Sequence, residues 1–306
     1  MIRIGVSRKL SAVSVLACMF LVSVVAGVLF AETKELSLGV TYVDEPISTL
    51  KRWEPLGELL SKTLNSKVKV VPMDFSTSVQ WIETGKVNLA LTNPLIFFLS
   101  RDKAQLTPIA MIVQKTKGEA GDRYGSAIIA KADSPVKTLG ELSGKTVGIA
   151  SRFSLGGGLG GLALLEQEGV KVEQITIKEL KNQDNVVFAV MNGTVDAGIV
   201  RTGIIEKLIS EKKVSSNSLK ILHKVDDNFP YVHSTPLWPE WLVVARASDL
   251  TAHEREQIKK ALLGIATSNE ALVKCGISGF KDPTDVLNTS SQFFDTILKI
   301  YQKISK

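Results

Sequence analysis

The chain has 306 residues and a formal charge of +6, with 44% hydrophobic and 22% charged residues. That length exceeds what one small core organises and suits two domains or lobes, while the composition excludes a disordered chain. Residues 1–31 carry three of the 37 basic and none of the 31 acidic residues, so the remainder stands near +3. A nucleic-acid surface needs a clustered basic face, and this near-balance argues against one.

Arg3, Arg8 and Lys9 precede an uncharged apolar run from Leu10 to Phe30, and Ala31 before Glu32 suits a cleavage site. The pattern predicts an export signal over residues 1–31. The run just reaches bilayer-spanning length, so an uncleaved anchor is the alternative. Cys18 lies inside this run with more apolar sequence after it, which speaks against lipid attachment there. The exported body then holds one cysteine, Cys275, and can form no internal disulfide.

Leu36–Val40 reads as a first strand, followed by a turn-rich loop from Thr41 to Pro46. Leu56, Leu59, Leu60 and Leu64 share one helical face and predict a helix from about Trp53 to Leu64. Val68–Val71 alternates as a second strand, and Phe75 leads into a helix stopped by Gly85. Val87–Leu91 is a third strand running into Asn93-Pro94; Leu95–Leu99 is a short apolar helix and Pro108–Val113 a fourth strand. Such alternation predicts a parallel sheet with helices on both faces.

The pattern restarts with a strand at Tyr124–Ala130 and a helical turn at Thr138–Leu142. Thr146–Ala150 is a buried strand, followed by Ser151, Arg152, Phe153, Ser154, a glycine run to Gly161, and a helix through Leu165 that Gly169 stops. Strand, glycine turn and helix together can point backbone N–H groups at an anion, and an Arg in the turn adds a permanent charge with a planar fork of donors. The competing reading is that the glycines let strand and helix pack closely. Val172–Leu180 reads as a strand, Asp184–Met191 as a helix, and Val195–Val200 as a strand ending in Arg201. Ile204–Ile209 is helical, Lys212–Ser218 a solvated loop, and Ile221 closes the unit.

His233–Trp241, rich in proline and aromatics, reads as an irregular or crossing segment. Trp241–Arg246 is a strand. Thr251 with Glu254 forms a capping box before a helix over Ile258–Ile265, and a last helix spans Ser290–Ile304.

Several chemistries are weak or missing. Gly156-x-Gly158-x-x-Gly161 matches a dinucleotide fingerprint with Glu179 downstream, but it does not follow the first strand of a cytosolic enzyme domain. His223, His233 and His253 lack metal-ligand spacing. No Gly-x-Ser-x-Gly elbow is present. Cys275 before Gly276 reads as a small buried residue, and Trp238 and Trp241 either wall a cleft or simply pack. Arg201 ends a strand, where open α/β sheets bind ligands.

Together these segments resemble the type II periplasmic solute-binding proteins, within them the phosphonate/phosphite/phosphate-binding family. The resemblance is carried by Gly39-Val-Thr-Tyr42, Trp53-Glu-Pro-Leu56, Gly85-Lys-Val-Asn-Leu-Ala90, Tyr124-Gly-Ser126, Asp133-Ser-Pro, Leu139-Gly-Glu-Leu-Ser-Gly-Lys-Thr-Val-Gly148 and Ala189-Val-Met-Asn-Gly-Thr-Val-Asp-Ala197. It implies two α/β lobes, each with a mostly parallel sheet flanked by helices, closing on a ligand between them. Lobe 1 is expected over 36–123 plus 240–306 and lobe 2 over 124–239. The family's positions fall on Tyr124 and Ser126, on Phe75, on Asn93 in place of a glycine, on Ser151, Arg152, Phe153 and Ser154 in place of its anion loop, on Gln183 in place of a histidine, and on Arg201 in place of an acid. With Tyr42 these form the candidate ligand set. An arginine at 201 repels an ammonium and favours a purely anionic ligand.

Asn93-Pro94, Val200–Gly203 and the His233–Trp241 segment are also similar to periplasmic sensing domains of histidine kinases for sulfur oxyanions. The expectation is therefore a periplasmic, monomeric binding protein without cofactor or metal. It captures a small oxyanion for an ABC-transporter permease or, alternatively, presents a sulfur or arsenic oxyanion to a membrane histidine kinase. An enzyme of the same fold is the other class; it lacks a visible nucleophile–base pair.

Overall fold

The computed structural model describes residues 35–42, 45–115 and 121–305. The expected signal or anchor over residues 1–31 lies outside them. Among the described residues no helix is long and apolar enough to cross a membrane.

The chain begins with β1 (Leu36–Thr41), α1 (Pro46–Leu64), β2 (Val68–Met73), α2 (Phe75–Glu83), β3 (Leu89–Thr92), α3 (Pro94–Ser100) and β4 (Leu106–Gln114). Helix α1 starts seven residues before the expected Trp53. Pro46 sits in its first turn, where a missing N–H costs nothing, and the helix tolerates Pro55 in its interior. Its apolar stripe of Trp53, Leu56 and Leu60 is buried against Leu38, Val40 and Val70 of the sheet. Asn65, in the left-handed region, ends it.

The chain then crosses to a second sheet through β5 (Arg123–Tyr124), β6 (Ser126–Lys131) and β7 (Thr146–Ile149), with a 3₁₀ turn at Gly140–Leu142 between the last two. The expected single strand Tyr124–Ala130 is broken at Gly125, where a side chain would meet Thr235 Oγ1 at 2.8 Å. After β7 a π-helical turn, Leu155–Leu159, runs directly into α4 (Gly160–Gln167). The glycine run is thus the first turns of a helix rather than a loop before one. The strand expected over Val172–Leu180 is a 3₁₀ turn, Val172–Gln174, followed by the shorter β8 (Thr176–Glu179). Then come α5 (Gln183–Met191), β9 (Ala197–Arg201), α6 (Ile204–Ser210) and β10 (Leu219–Leu222).

The return crossing contains β11 (Trp238–Pro239), which pairs antiparallel with β5 to form a two-stranded ribbon between the sheets. β12 (Leu242–Arg246), α7 (Ala252–Leu263), α8 (Glu270–Cys275), β13 (Ile277–Lys281) and α9 (Thr284–Ile304) follow. Both halves of the Thr251/Glu254 capping box are formed, and α7 starts directly after it. α8 and β13 went unanticipated, each too short to carry a period of its own. α9 starts six residues before the expected Ser290.

In each sheet most strands run the same way, with antiparallel strands inserted, so both are mixed. The first runs β13-β4-β12-β3-β1-β2. β2, β1 and β3 are parallel, whereas β12 inserts antiparallel between β3 and β4, and β13 pairs antiparallel with β4. The second runs β10-β6-β9-β7-β8, with β7 parallel to β8 and β9 but β6 antiparallel to β9 and β10. α9 lies across both lobes. Phe294 stacks on Phe98 of α3 at 4.3 Å between centroids, Phe293 stacks on Trp238 at 5.7 Å, and the same core cluster continues to Leu159 and Leu162.

Candidate functional site

The carboxyl ends of β1, β2, β3, β7, β8 and β9 converge on a cleft, as open α/β sheets dispose their ligand sites. Its larger chamber encloses ≈ 810 Å³ and its smaller one ≈ 340 Å³; Arg201 and Trp241 line both.

Of the expected ligand set, Tyr42, Phe75, Asn93, Tyr124, Ser151, Phe153, Ser154, Gln183 and Arg201 line the larger chamber. Each is held by its own local structure. Tyr42 Oη donates to Asp74 Oδ2 at 2.9 Å, and Asp74 caps α2 by accepting from the Ser76 amide at 2.8 Å. The Ser76 hydroxyl bond leads the effects that hold the Asp74 carboxyl below its usual range, and that carboxylate raises the Tyr42 phenol. Asn93 Oδ1 caps α3 through the Ile96 amide, and Ser154 Oγ caps the π-helical turn through the Gly157 amide. Ser151 Oγ accepts from the Phe153 amide, and Gln183 Oε1 accepts from the Arg201 amide at 3.1 Å. Phe75 meets Trp241 edge to face at 6.1 Å.

Arg201 is the central group. Its guanidinium carbon lies 4.0 Å from the centroid of the buried Tyr124 ring, and its Nη2 donates to Glu240 Oε1. Glu240 sits in the return crossing, its side chain 2% exposed against 26% for Arg201. Burial pushes the Glu240 carboxyl up, and the Arg201 charge opposes that rise. Burial likewise raises the Tyr124 phenol, which stays protonated at neutral pH.

Two expected members are elsewhere. Ser126 is fully buried, and its Oγ donates to the Gly156 carbonyl at 2.8 Å, holding the glycine turn from behind. Arg152 does not line the cleft. Its Nε donates to Glu179 Oε1 at 2.7 Å and its Nη1 to the Ile304 carbonyl at 2.8 Å, which ties the β7 loop to β8 and to the end of α9. The Arg152 bonds outweigh burial and hold the Glu179 carboxyl low.

The glycines carry out the close-packing role read from the sequence. A side chain at Gly160 would meet Trp238 at 2.3 Å, one at Gly161 would meet Ile199 at 2.6 Å, and one at Gly156 would meet Arg201 Cβ at 3.0 Å. Close approach therefore brings this helix against β6 and β9, and it leaves Leu155 and Gly156 on the wall of the larger chamber. Trp238 is packed and fully buried, whereas Trp241 lines the cleft. Cys275 is buried, and burial pushes its thiol up to about 11.

Sequence reading missed Asp74, Lys181, Lys207 and Arg52 as cleft residues, and Glu240 as the buried partner of Arg201. Asp74 was legible as the cap before Phe75. Glu240 carried no signal, because only the return crossing brings it to Arg201. Lys207 is bound to Asp184 at 3.2 Å. Among the described residues no group of three or more His, Cys, Asp or Glu side chains is arranged to hold a metal.

Residues 38–286 match the family model described as ABC transporter, phosphonate, periplasmic substrate-binding protein. The tetrathionate sensor histidine kinase TtrS of Salmonella typhimurium is 27% identical over 213 residues, 68% of this chain. The match spans 36% of that kinase, so the chain corresponds to about a third of its length. XAC2383 from Xanthomonas citri, solved bound to chloride ion, superposes with a TM-score of 0.71 at 17% identity, covering 88% of this chain and 99% of its own. PhnD1 from Prochlorococcus marinus, in complex with methylphosphonate, gives 0.61 at 17% identity, covering 88% and 100%. The fold is that of the type II periplasmic binding proteins, as the motifs from Gly39 to Ala197 implied.

Proposed function

Since the chain belongs to the family of phosphonate-type periplasmic substrate-binding proteins of ABC transporters, we propose that its cleft captures a small oxyanion and that the closed form delivers it to a membrane permease. The observation that carries this reading is Arg201, a permanent cation at the carboxyl end of β9, held over Tyr124 and lining both chambers. Its planar fork suits a tetrahedral oxyanion, and charge-assisted bonds of that kind are the strong ones. The capped turn at Ser154–Gly156, beside Arg201 in the same lobe, adds the positive end of a helix. Bonds made from both lobes favour the closed state by the difference in ligand affinity between the two forms.

The acid opposite matters. Glu240 offsets part of the Arg201 charge, so the site is less cationic than the sequence implied, while the smaller chamber adds Arg52. A second reading rests on the similarity to the tetrathionate sensor kinase: the closed form signals to a membrane histidine kinase, and the ligand is a sulfur oxyanion, with arsenic oxyanions as the further alternative.

The test is calorimetric titration of the purified chain with phosphate, phosphite, methylphosphonate, thiosulfate, tetrathionate, arsenite and arsenate. Arg201→Ala alone would strand Glu240 in the interior, which typically costs about 3–5 kcal/mol. The informative variant is therefore Arg201→Gln with Glu240→Gln. Loss of binding at an unchanged fold supports the reading; undiminished binding overturns it.

A further inference from the structure

The smaller chamber is a cavity of ≈ 340 Å³ on the first lobe's side of Arg201, within the roughly 300–1,000 Å³ range of small-molecule sites. Thr41 at the end of β1, Ser48, Thr49, Arg52 and Trp53 of α1, Ile112 and Gln114 of β4, Arg201 and Trp241 form its wall. Two of these nine described residues are arginines and none is a carboxylate. The larger chamber, by contrast, mixes Asp74 and Asp184 with its cations.

Contacts from α8 and from its own helix help set Arg52 in position. Its Nε donates to the Cys275 carbonyl at 2.7 Å, at the end of α8, and its guanidinium lies 5.0 Å over the Trp53 ring. Gln114 and the hydroxyls of Thr41, Ser48 and Thr49 add neutral polar groups to the wall that the two arginines share. Between the chambers the common surface is aromatic: Trp241 belongs to both, with Phe75 against its edge.

We propose that the smaller chamber is a second anion subsite, so that the cleft takes an elongated ligand with an acidic group at each end. This deepens the reading above and rests on it. One head bonds to Arg201 and the Ser154–Gly156 turn in the larger chamber. The other head enters the smaller chamber at Arg52, Ser48 and Thr49. The linker between them lies along Trp241, an apolar wall suited to polarisable or methylene atoms and indifferent to hydrogen-bond pattern. A one-headed anion fills only the larger chamber and leaves Arg52 without a ligand contact.

The experiment compares matched pairs by calorimetry: methanesulfonate with butane-1,4-disulfonate, thiosulfate with tetrathionate, and methylphosphonate with propane-1,3-diphosphonate. Wild type is expected to bind the two-headed member of at least one pair about tenfold tighter or better, as a charge-assisted bond predicts. Arg52→Gln should remove that advantage, weakening two-headed ligands by about tenfold and one-headed ones clearly less. Ser48→Glu, also at an exposed position, should penalise two-headed ligands selectively through like-charge repulsion. Equal affinity for both members of every pair overturns the inference while leaving oxyanion capture standing. So does an equal loss for both members in Arg52→Gln. Wild type that binds none of these anions but does bind phosphate, phosphite, arsenite or arsenate also overturns this inference alone; binding none of either set overturns the proposed function, and this inference with it.

Discussion

Arg201 and Glu240 meet in the cleft from two distant segments, β9 and the return crossing, and their joint charge decides what the site attracts. When ionised, the carboxylate cancels part of the guanidinium's field, and an anion bound at Arg201 would have to compete with it. At pH values where Glu240 is ionised, Glu240→Gln should therefore tighten anion binding by at least about tenfold, since even at about 12 Å one charge at an effective dielectric near 20 is worth roughly 1.4 kcal/mol. Titration calorimetry across a pH series reads it. Burial raises the Glu240 carboxyl above its unfolded value. Its contribution to stability is accordingly greatest below the ordinary glutamate pKa and is lost as pH rises through the folded pKa. Anion affinity should follow the same direction, strengthening as pH falls through that folded pKa, and Glu240→Gln should flatten the profile. Arg152 belongs to the opposite class. Its guanidinium is committed to Glu179 and the end of α9, so Arg152→Ala should lower the melting temperature while leaving anion affinity within about twofold.

The helix over Leu155–Gln167 packs closely and lines the cleft at once. Its glycine face lets the backbone settle onto Trp238, Ile199 and Tyr124, and the same approach presents its first turn to the cleft. Gly160→Ala places a methyl group where Trp238 already lies at 2.3 Å. It should destabilise by about 1–3 kcal/mol as an overpacking change and weaken anion binding by displacing the turn. Gly140→Ala meets nothing within 4 Å and serves as the control, expected to shift stability by under about 0.5 kcal/mol. Denaturant titration distinguishes the two.

The lobes are joined by the β5–β11 ribbon and overlaid by α9, whose Phe294 stacks on Phe98 of α3 and whose Phe293 stacks on Trp238 of the return crossing, in a core cluster that continues into the second lobe. Ligand closure must therefore occur with α9 in place. Truncation after Thr284 should cost folding as well as binding, since it uncovers the apolar face that α9 presents to the core. Acid should act through the paired carboxylates. Asp282, bonded to Lys259 and Thr284, is lowered to about 2, and Asp74 and Glu179 are lowered as well. Groups depressed in the folded state stabilise above their unfolded pKa, so circular dichroism should show stability falling from about pH 4 toward pH 2. Asp282→Asn should remove part of that fall.

Most helices and strands were legible because their local patterns are self-sufficient: the Leu56–Leu60 stripe of α1, the Thr251/Glu254 box of α7, the apolar run of β7. The motif order from Gly39 to Ala197 carried the family and the two-lobed fold, and Arg201 stood out by its place at a strand's end. Only the tertiary structure decided the rest. The antiparallel insertion of β12, the capture of Arg152 by Glu179 and Ile304, the burial of Ser126 behind Gly156, and the arrival of Glu240 at Arg201 all join segments far apart in the chain. Local periodicity and capping act within a few residues, whereas the charge of this cleft is set by partners that only folding brings together.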